Sequence, residues 1–268
     1  MQRTHVSKFK KQPTYGSPKS KTSWEMDIKI MQPWSVPVFH THLPSEVLEQ
    51  MTKLSDKIIA DKDAEKMGKT LAGQVKSELR LLPELLKEKD LSAMNFFSGM
   101  IREFVIACKC QQYPNKAAQF TNRENWLVQM TEAWITSQMP GEYNPTHIHA
   151  GCHLSAVMYI KIPKMLPSRK KQTTEDAELD GSLLFSSNAS RDIVLSVPHI
   201  TVSPKVGDFF IFSSHQEHLV YPYRCEEGDR ERRSISFNAI FQSKADFDRG
   251  KKLETPQAVV APGDSRPS

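Results

Sequence analysis

Cysteine is scarce in this chain of 268 residues: Cys108, Cys110, Cys152 and Cys225 form no CxxC pair and no regular spacing. That excludes a disulfide framework and points to a reduced, cytoplasmic compartment. Long apolar runs are missing too. Phe104 to Ala107 and Phe209 to Phe212 are far too short to cross a bilayer, and nothing resembles a signal peptide, so no membrane role is expected. No internal repeat is visible. Acid is absent from residues 1–23, which carry Arg3, Lys8, Lys10, Lys11, Lys19 and Lys21. Without those six, 30 basic side chains face 31 acidic ones, so the net charge of +5 belongs to the arm and the body is near neutral. The arm is rich in Ser, Thr, Pro and Lys. It cannot bury enough surface to order itself, and is expected to be disordered over residues 1–23. Nucleic-acid binding is the disfavoured reading of it, because most short basic arms are simply solvated.

What remains is a body with enough apolar residues for one core plus helical additions. Trp24 to His40 reads as irregular and extended. Pro44-Ser45-Glu46-Val47-Leu48 opens a helix, with Leu48, Met51, Leu54, Ile58 and Ile59 at helical spacing. The charged residues 60–70 read as exposed. A second helical stripe covers Ser77 to Lys87 through Leu79, Leu82 and Leu86. A third runs from Leu91 to Cys110 through Met94, Phe97, Ile101, Phe104, Val105 and Ala107. These stripes are expected to pack against a sheet. They leave open whether the helical half shapes substrate access or a homodimer face.

From Asn125 the texture changes to short β-forming runs. These are Trp126 to Met130, Glu132 to Ile135, His153 to Ile162, Gly181 to Phe185, His199 to Val202, Asp208 to Phe212, His218 to Tyr223 and Ser234 to Phe241. Helices followed by strands predict an α+β fold, with the helices (44–112) bracing an antiparallel sandwich or barrel (125–241). The predicted organisation is one domain over 24–246 and a disordered tail over 247–268. Residues 164–180 are charged and apolar-poor, and read as a mobile loop placed to act as a lid.

Three pieces carry chemistry. On a strand, His147 and His149 would share a face, about 6–7 Å apart. Two ligands from one strand and a third from a distant one hold a metal while leaving positions open, which suits catalysis rather than structural binding. The third ligand is read as His218. It follows the turn Pro204-Lys205-Val206-Gly207-Asp208, the strand Phe209 to Phe212, and the loop Ser213-Ser214. His215 competes for the role, but Leu219-Val220 continues a strand behind His218. Last, Arg232, Ser234, Ser236 and Asn238 alternate with Arg233, Ile235 and Phe237. An arginine with a serine two residues later is suited to gripping a carboxylate. An edge strand with a solvated polar row is the equally open alternative.

Taken in order, these pieces resemble the Fe(II)- and 2-oxoglutarate-dependent dioxygenases. They are most similar to a bacterial and phage group with a His-x-His, here His147-Ile148-His149. That group also shows the strand Leu154-Ser155-Ala156-Val157-Met158-Tyr159, the Gly207-Asp208 turn, a late histidine and an Arg232-to-Asn238 strand. The resemblance spans about residues 125–241. It implies a double-stranded β-helix (jelly-roll or cupin-like barrel) holding Fe(II) on His147, His149 and His218. It places 2-oxoglutarate on Arg232, with Ser234 assisting and Tyr159 or Asn238 in contact. It implies hydroxylation of a small-molecule or peptidyl substrate with O2, releasing succinate and CO2. His149 stands where the wider superfamily has a carboxylate. That departure keeps two alternatives open: a three-histidine cupin-like dioxygenase without a 2-oxo acid, and a metal-free barrel acting as a binding module. His153 is a weaker ligand candidate, because Gly151 interrupts its spacing from His149.

Overall fold

The computed structural model describes residues 7–8, 27–28, 37–67, 73–166, 179–186 and 199–253. Most of the expected disordered arm, the central part of the expected lid loop (167–178) and the tail beyond 253 lie outside the described residues. Residues 1–35 form a unit of their own, in which β1 (Ser7–Lys8) and β2 (Asp27–Ile28) pair antiparallel. The second unit, from Val36 on, carries everything below.

This unit opens with β3 (Val38–His42) and helix α1 (Ser45–Ala60). Val47, Met51, Leu54 and Ile58 recur at three- and four-residue intervals along α1 and are all buried. Next come β4 (Ser77–Arg80), the single turn α2 (Leu82–Leu85) and helix α3 (Ser92–Gln112). Ala93, Phe97, Ile101, Phe104 and Val105 form the buried stripe of α3.

The helix expected over Ser77 to Lys87 is therefore a strand and one helical turn. Pro83 explains the difference. Inside such a helix its ring would clash with the carbonyl of Leu79 and its missing N–H would leave a gap in the ladder. At the start of α2 it fits, and Ser77–Arg80 instead hydrogen-bonds to the next strand. Leu86, expected on the buried stripe, ends up 64% exposed.

Eight strands follow. They are β5 (Trp126–Gln138), β6 (Asn144–His147), β7 (Leu154–Lys161) and β8 (Leu183–Ser186), then β9 (His199–Val202), β10 (Asp208–Ser213), β11 (His218–Val220) and β12 (Arg232–Ser243). The two runs expected around Asn125 to Ile135 are one long strand. A register shift between Asn238 and Ala239 is absorbed in its pairing with β12. One sheet has the order β3-β10-β7-β12-β5-β4 and the other β6-β11-β8-β9. The chain passes from sheet to sheet and back as it runs from β5 to β12, the winding of a double-stranded β-helix.

Two cores result, and strand alternation separates them. Phe209 and Ile211 of β10 join Ile235 and Phe237 of β12 in the cluster against α1 and α3. Phe210 and Phe212 point the other way, to Tyr159, Leu183 and Phe185 between the sheets. This is why β10 reads as an unbroken apolar run: both of its faces are covered. Each such side chain contributes roughly 1.5–3 kcal/mol by leaving water. After β12, helix α4 (Lys244–Asp248) is capped by Ser243 and held by Arg249 and Lys251 on Asp246. The first residues assigned to the tail thus have placed positions.

Candidate metal centre

His147 ends β6 and lies directly opposite His218, the first residue of β11. Their ring centroids are 4.2 Å apart. His149 is not on the strand. β6 stops at His147, and the His149 backbone N–H donates to the Ser214 carbonyl, 2.9 Å away, in the loop after β10. The expected geometry of two histidines on one strand face is therefore corrected. A loop turn, not the pleat, swings the second ring in, to 5.2 Å from His147 and 5.1 Å from His218. The ligating atoms of all three histidines lie within 4.8 Å of one another.

The tautomers follow from the partners. His147 Nδ1 is 2.7 Å from the Pro145 carbonyl, and His218 Nδ1 is 2.8 Å from that of Gln216. A carbonyl oxygen only accepts, so each Nδ1 carries the proton and each Nε2 keeps its lone pair. His149 Nε2 sits 3.3 Å from His218 Nε2. Burial, then the charges of His218 and His147, hold the His149 imidazole well below its ordinary value. Burial and the neighbouring His147 bring His218 down to about 3. Burial also lowers His147, against the pull of its Pro145 hydrogen bond. All three are held in the neutral form that binds a metal.

Beside them, Arg232 is 2% exposed. Its Nη1 donates to Gln138 Oε1 at 2.6 Å, its backbone N–H donates to the Tyr223 hydroxyl at 3.1 Å, and its guanidinium lies 4.8 Å over the Tyr159 ring. Its Nε and Nη2 are buried and have no partner among the described residues. Unsatisfied buried donors are costly, which marks this guanidinium as built for something carrying acceptors. Ser234, one step along the same face, pairs in register with Tyr159 and Thr136. Arg232, Ser234, Tyr159 and the three histidines line one cavity with Trp134, Thr136, Gln138 and Asn144. The polar row of β12 is thus not a solvated edge.

Asn238 is buried further along β12 and does not line that cavity. His153 accepts the Phe241 N–H at 3.0 Å and stands apart from the three histidines. Two contributors escaped the sequence reading. Gln138 could have been found, since it lies two residues past Thr136 on one face of β5. Tyr223 could not: the run expected from His218 to Tyr223 keeps strand pairing only to Val220, and the Tyr223 hydroxyl reaches the Gln138 and Arg230 carbonyls from beyond it.

Residues 132–238 match the family described as "Putative 2OG-Fe(II) oxygenase". Over those 107 of its 268 residues the chain is similar to the 2OG-Fe(II) oxygenases. The matched stretch holds all three histidines, Tyr159 and Arg232. Members of that family use Fe(II) and 2-oxoglutarate and are oxidoreductases. No curated protein sequence matches this chain. Among solved structures it is similar to a Pseudomonas putida prolyl-4-hydroxylase, at 14% identity and a TM-score of 0.44, over 77% of this chain and 92% of that one. It is similar to a prolyl hydroxylase from Trichoplax adhaerens in complex with a hypoxia inducible factor peptide, at 11% identity and a TM-score of 0.45, over 81% and 87%. It is also similar to SnoK, an alpha ketoglutarate dependent carbocyclase from nogalamycin biosynthesis, at 10% identity and a TM-score of 0.46, over 82% and 88%. No helix among the described residues is long and apolar enough to cross a membrane.

The residues present fit both cofactors. Three neutral imidazoles offer converging lone pairs, and the two orphaned nitrogens of Arg232, Nε and Nη2, match the acceptors of a carboxylate.

Proposed function

We propose that this oxygenase holds Fe(II) on His147, His149 and His218 and anchors the far carboxylate of 2-oxoglutarate on Arg232. The reaction is hydroxylation of a C–H bond in a small-molecule or peptidyl substrate, with release of succinate and CO2. When bound, Fe(II) supplies the activation of O2 that couples decarboxylation of the 2-oxo acid to oxidation of the substrate. The chain's own residues supply position and environment. The Pro145 and Gln216 carbonyls keep protons on the outer nitrogens of His147 and His218, so the inner nitrogens stay free. Gln138 fixes one arm of the Arg232 guanidinium, and Nε and Nη2 remain to hold the cosubstrate carboxylate when it binds. Ser234 adds a hydroxyl on the same row. Tyr159 closes the floor, and burial strengthens the charge pairing by excluding water.

The observation that carries this reading is the pair of unpartnered Arg232 donors beside three convergent imidazoles. The third imidazole, His149, favours a second reading: a three-histidine dioxygenase that uses no 2-oxo acid. That reading leaves the buried guanidinium without a task.

The test is succinate release from 2-oxoglutarate by anaerobically purified protein given Fe(II) and then O2, without an added substrate. Slow uncoupled succinate formation is expected from the native chain, and none from His218→Ala. Iron-loaded native protein that forms no succinate and does not bind 2-oxoglutarate would leave only the second reading.

A further inference from the structure

A second convergent donor set lies at the other end of β10. Asp208 is the first residue of β10 and pairs in register with His42 on the edge strand β3, while His40 pairs with Phe210. Strand alternation sends His40, His42 and Asp208 to one face, and their ligating atoms lie within 4.8 Å of one another. Asp208 Oδ1 is 2.9 Å from His40 Nε2 and 3.3 Å from His42 Nδ1.

Five features set this group apart from a surface pairing. Asp208 is only 4% exposed, and among the described residues its ion-pair partners are these two imidazoles, with no lysine or arginine. A buried carboxylate in that position calls for a cation. Its other oxygen, Oδ2, accepts the Lys205 backbone N–H at 2.7 Å, which aims Oδ1 at the histidines. The His40 ring is stacked on Phe210 at 4.5 Å, 8° from parallel, so one ligand is already oriented. The two imidazoles remain open to water on their outer side, which gives an ion an entry path and leaves room for a solvent ligand. Gly207, at φ +89°, turns the chain into β10 while donating to the Tyr159 carbonyl and accepting from Leu43, and so holds β3 in place beside Asp208.

We propose that His40, His42 and Asp208 form a second divalent transition-metal site, which clips the edge strand β3 to β10. Two imidazoles and one carboxylate suit Zn(II) and related ions. Five residues of strand separate it from the His149 and His218 end of β10, about 17 Å, so the two sites do not share an ion. It does not rest on the assignment of iron to the first site.

The probe is Zn(II), titrated into chelator-stripped full-length protein and read by binding stoichiometry and thermal unfolding. The native chain is expected to bind two equivalents. His147→Ala/His218→Ala retains one equivalent, and Zn(II) still raises its Tm. His42→Gln preserves a hydrogen-bonding side chain beside Asp208 but is a poor ligand; it loses this equivalent with little change in metal-free Tm. If His40→Ala/His42→Ala or His42→Gln binds as many Zn(II) ions as the native chain, the site does not exist. The same follows if His147→Ala/His218→Ala, still folded by circular dichroism, binds none. A native chain that binds a single equivalent, lost in His42→Gln and kept in His147→Ala/His218→Ala, would count against the first site and leave this one standing.

Discussion

Arg232 and Arg233 are neighbours on β12, 2% and 5% exposed, and opposite in what surrounds them. Arg233 faces the helices and is saturated. Its Nε and Nη2 donate to Glu231, and its Nη1 reaches Ser55 and Asp56 of α1. Glu231 in turn takes Ser137 and Lys161. Arg232 faces the space between the sheets, keeps one side-chain acceptor in Gln138, and leaves two donors bare. The same side chain, buried to the same degree, is architecture where its hydrogen bonds are complete and a ligand anchor where they are not. The local fold sets the difference: period-two alternation hands one guanidinium to the core and the next to the cavity.

The sharpest way to break this comparison is Arg233→Met. It strands Glu231 without its main counterion, and a loss of about 3–5 kcal/mol in chemical denaturation is expected. The surviving folded fraction should bind 2-oxoglutarate as the native chain does. A variant that instead loses 2-oxoglutarate and keeps its stability would show that the two roles had been swapped.

The reverse experiment is Arg232→Gln. Removing a buried charge that meets a carboxylate costs about 2–4 kcal/mol, roughly 30- to 1,000-fold in 2-oxoglutarate affinity by calorimetry. Its stability should change little, because no carboxylate on the protein depends on it. Unaltered affinity would remove the main support for the 2-oxo acid.

A gentler probe is pH. Burial pulls the Glu231 carboxyl upward, but hydrogen bonds from Arg233, Lys161 and Ser137 outweigh it and hold the group at about 2 rather than the ordinary 4.5. The unfolded chain takes up that proton at higher pH than the folded one. The stabilisation is therefore complete above 4.5 and disappears as pH falls toward 2. Unfolding free energy measured across that window should fall less steeply in Arg233→Met than in the native chain.

How far could these residues be read before any coordinates? An antiparallel sandwich or barrel was legible because turns punctuate short β-forming runs, whereas the double-stranded winding came only with the family resemblance, and β6 was not among the expected runs. The alternation on β12 placed Arg232 and Ser234 together and Arg233 apart from them. The convergence of His147, His149 and His218 was legible as membership but not as geometry. Nothing in Ile148 says that the strand ends one residue earlier and that Ser214 catches the next backbone N–H. Ser77–Arg80 misled because three leucines at helical spacing outweighed Pro83 in the reading, and an edge strand needs only one partner to exist. His40 closes the stretch expected to be irregular, Trp24 to His40, and His42 lies just beyond it, yet both belong to β3. Their partner Asp208 is far away in sequence, and only the β3–β10 pairing brings the three together.

The contacts that orient His147 and His218 come from main-chain oxygens at positions 145 and 216. No side-chain replacement deletes a carbonyl. Descendants of this chain could drift at both positions and still inherit two imidazoles with their lone pairs facing inward, provided the loops on either side keep their course.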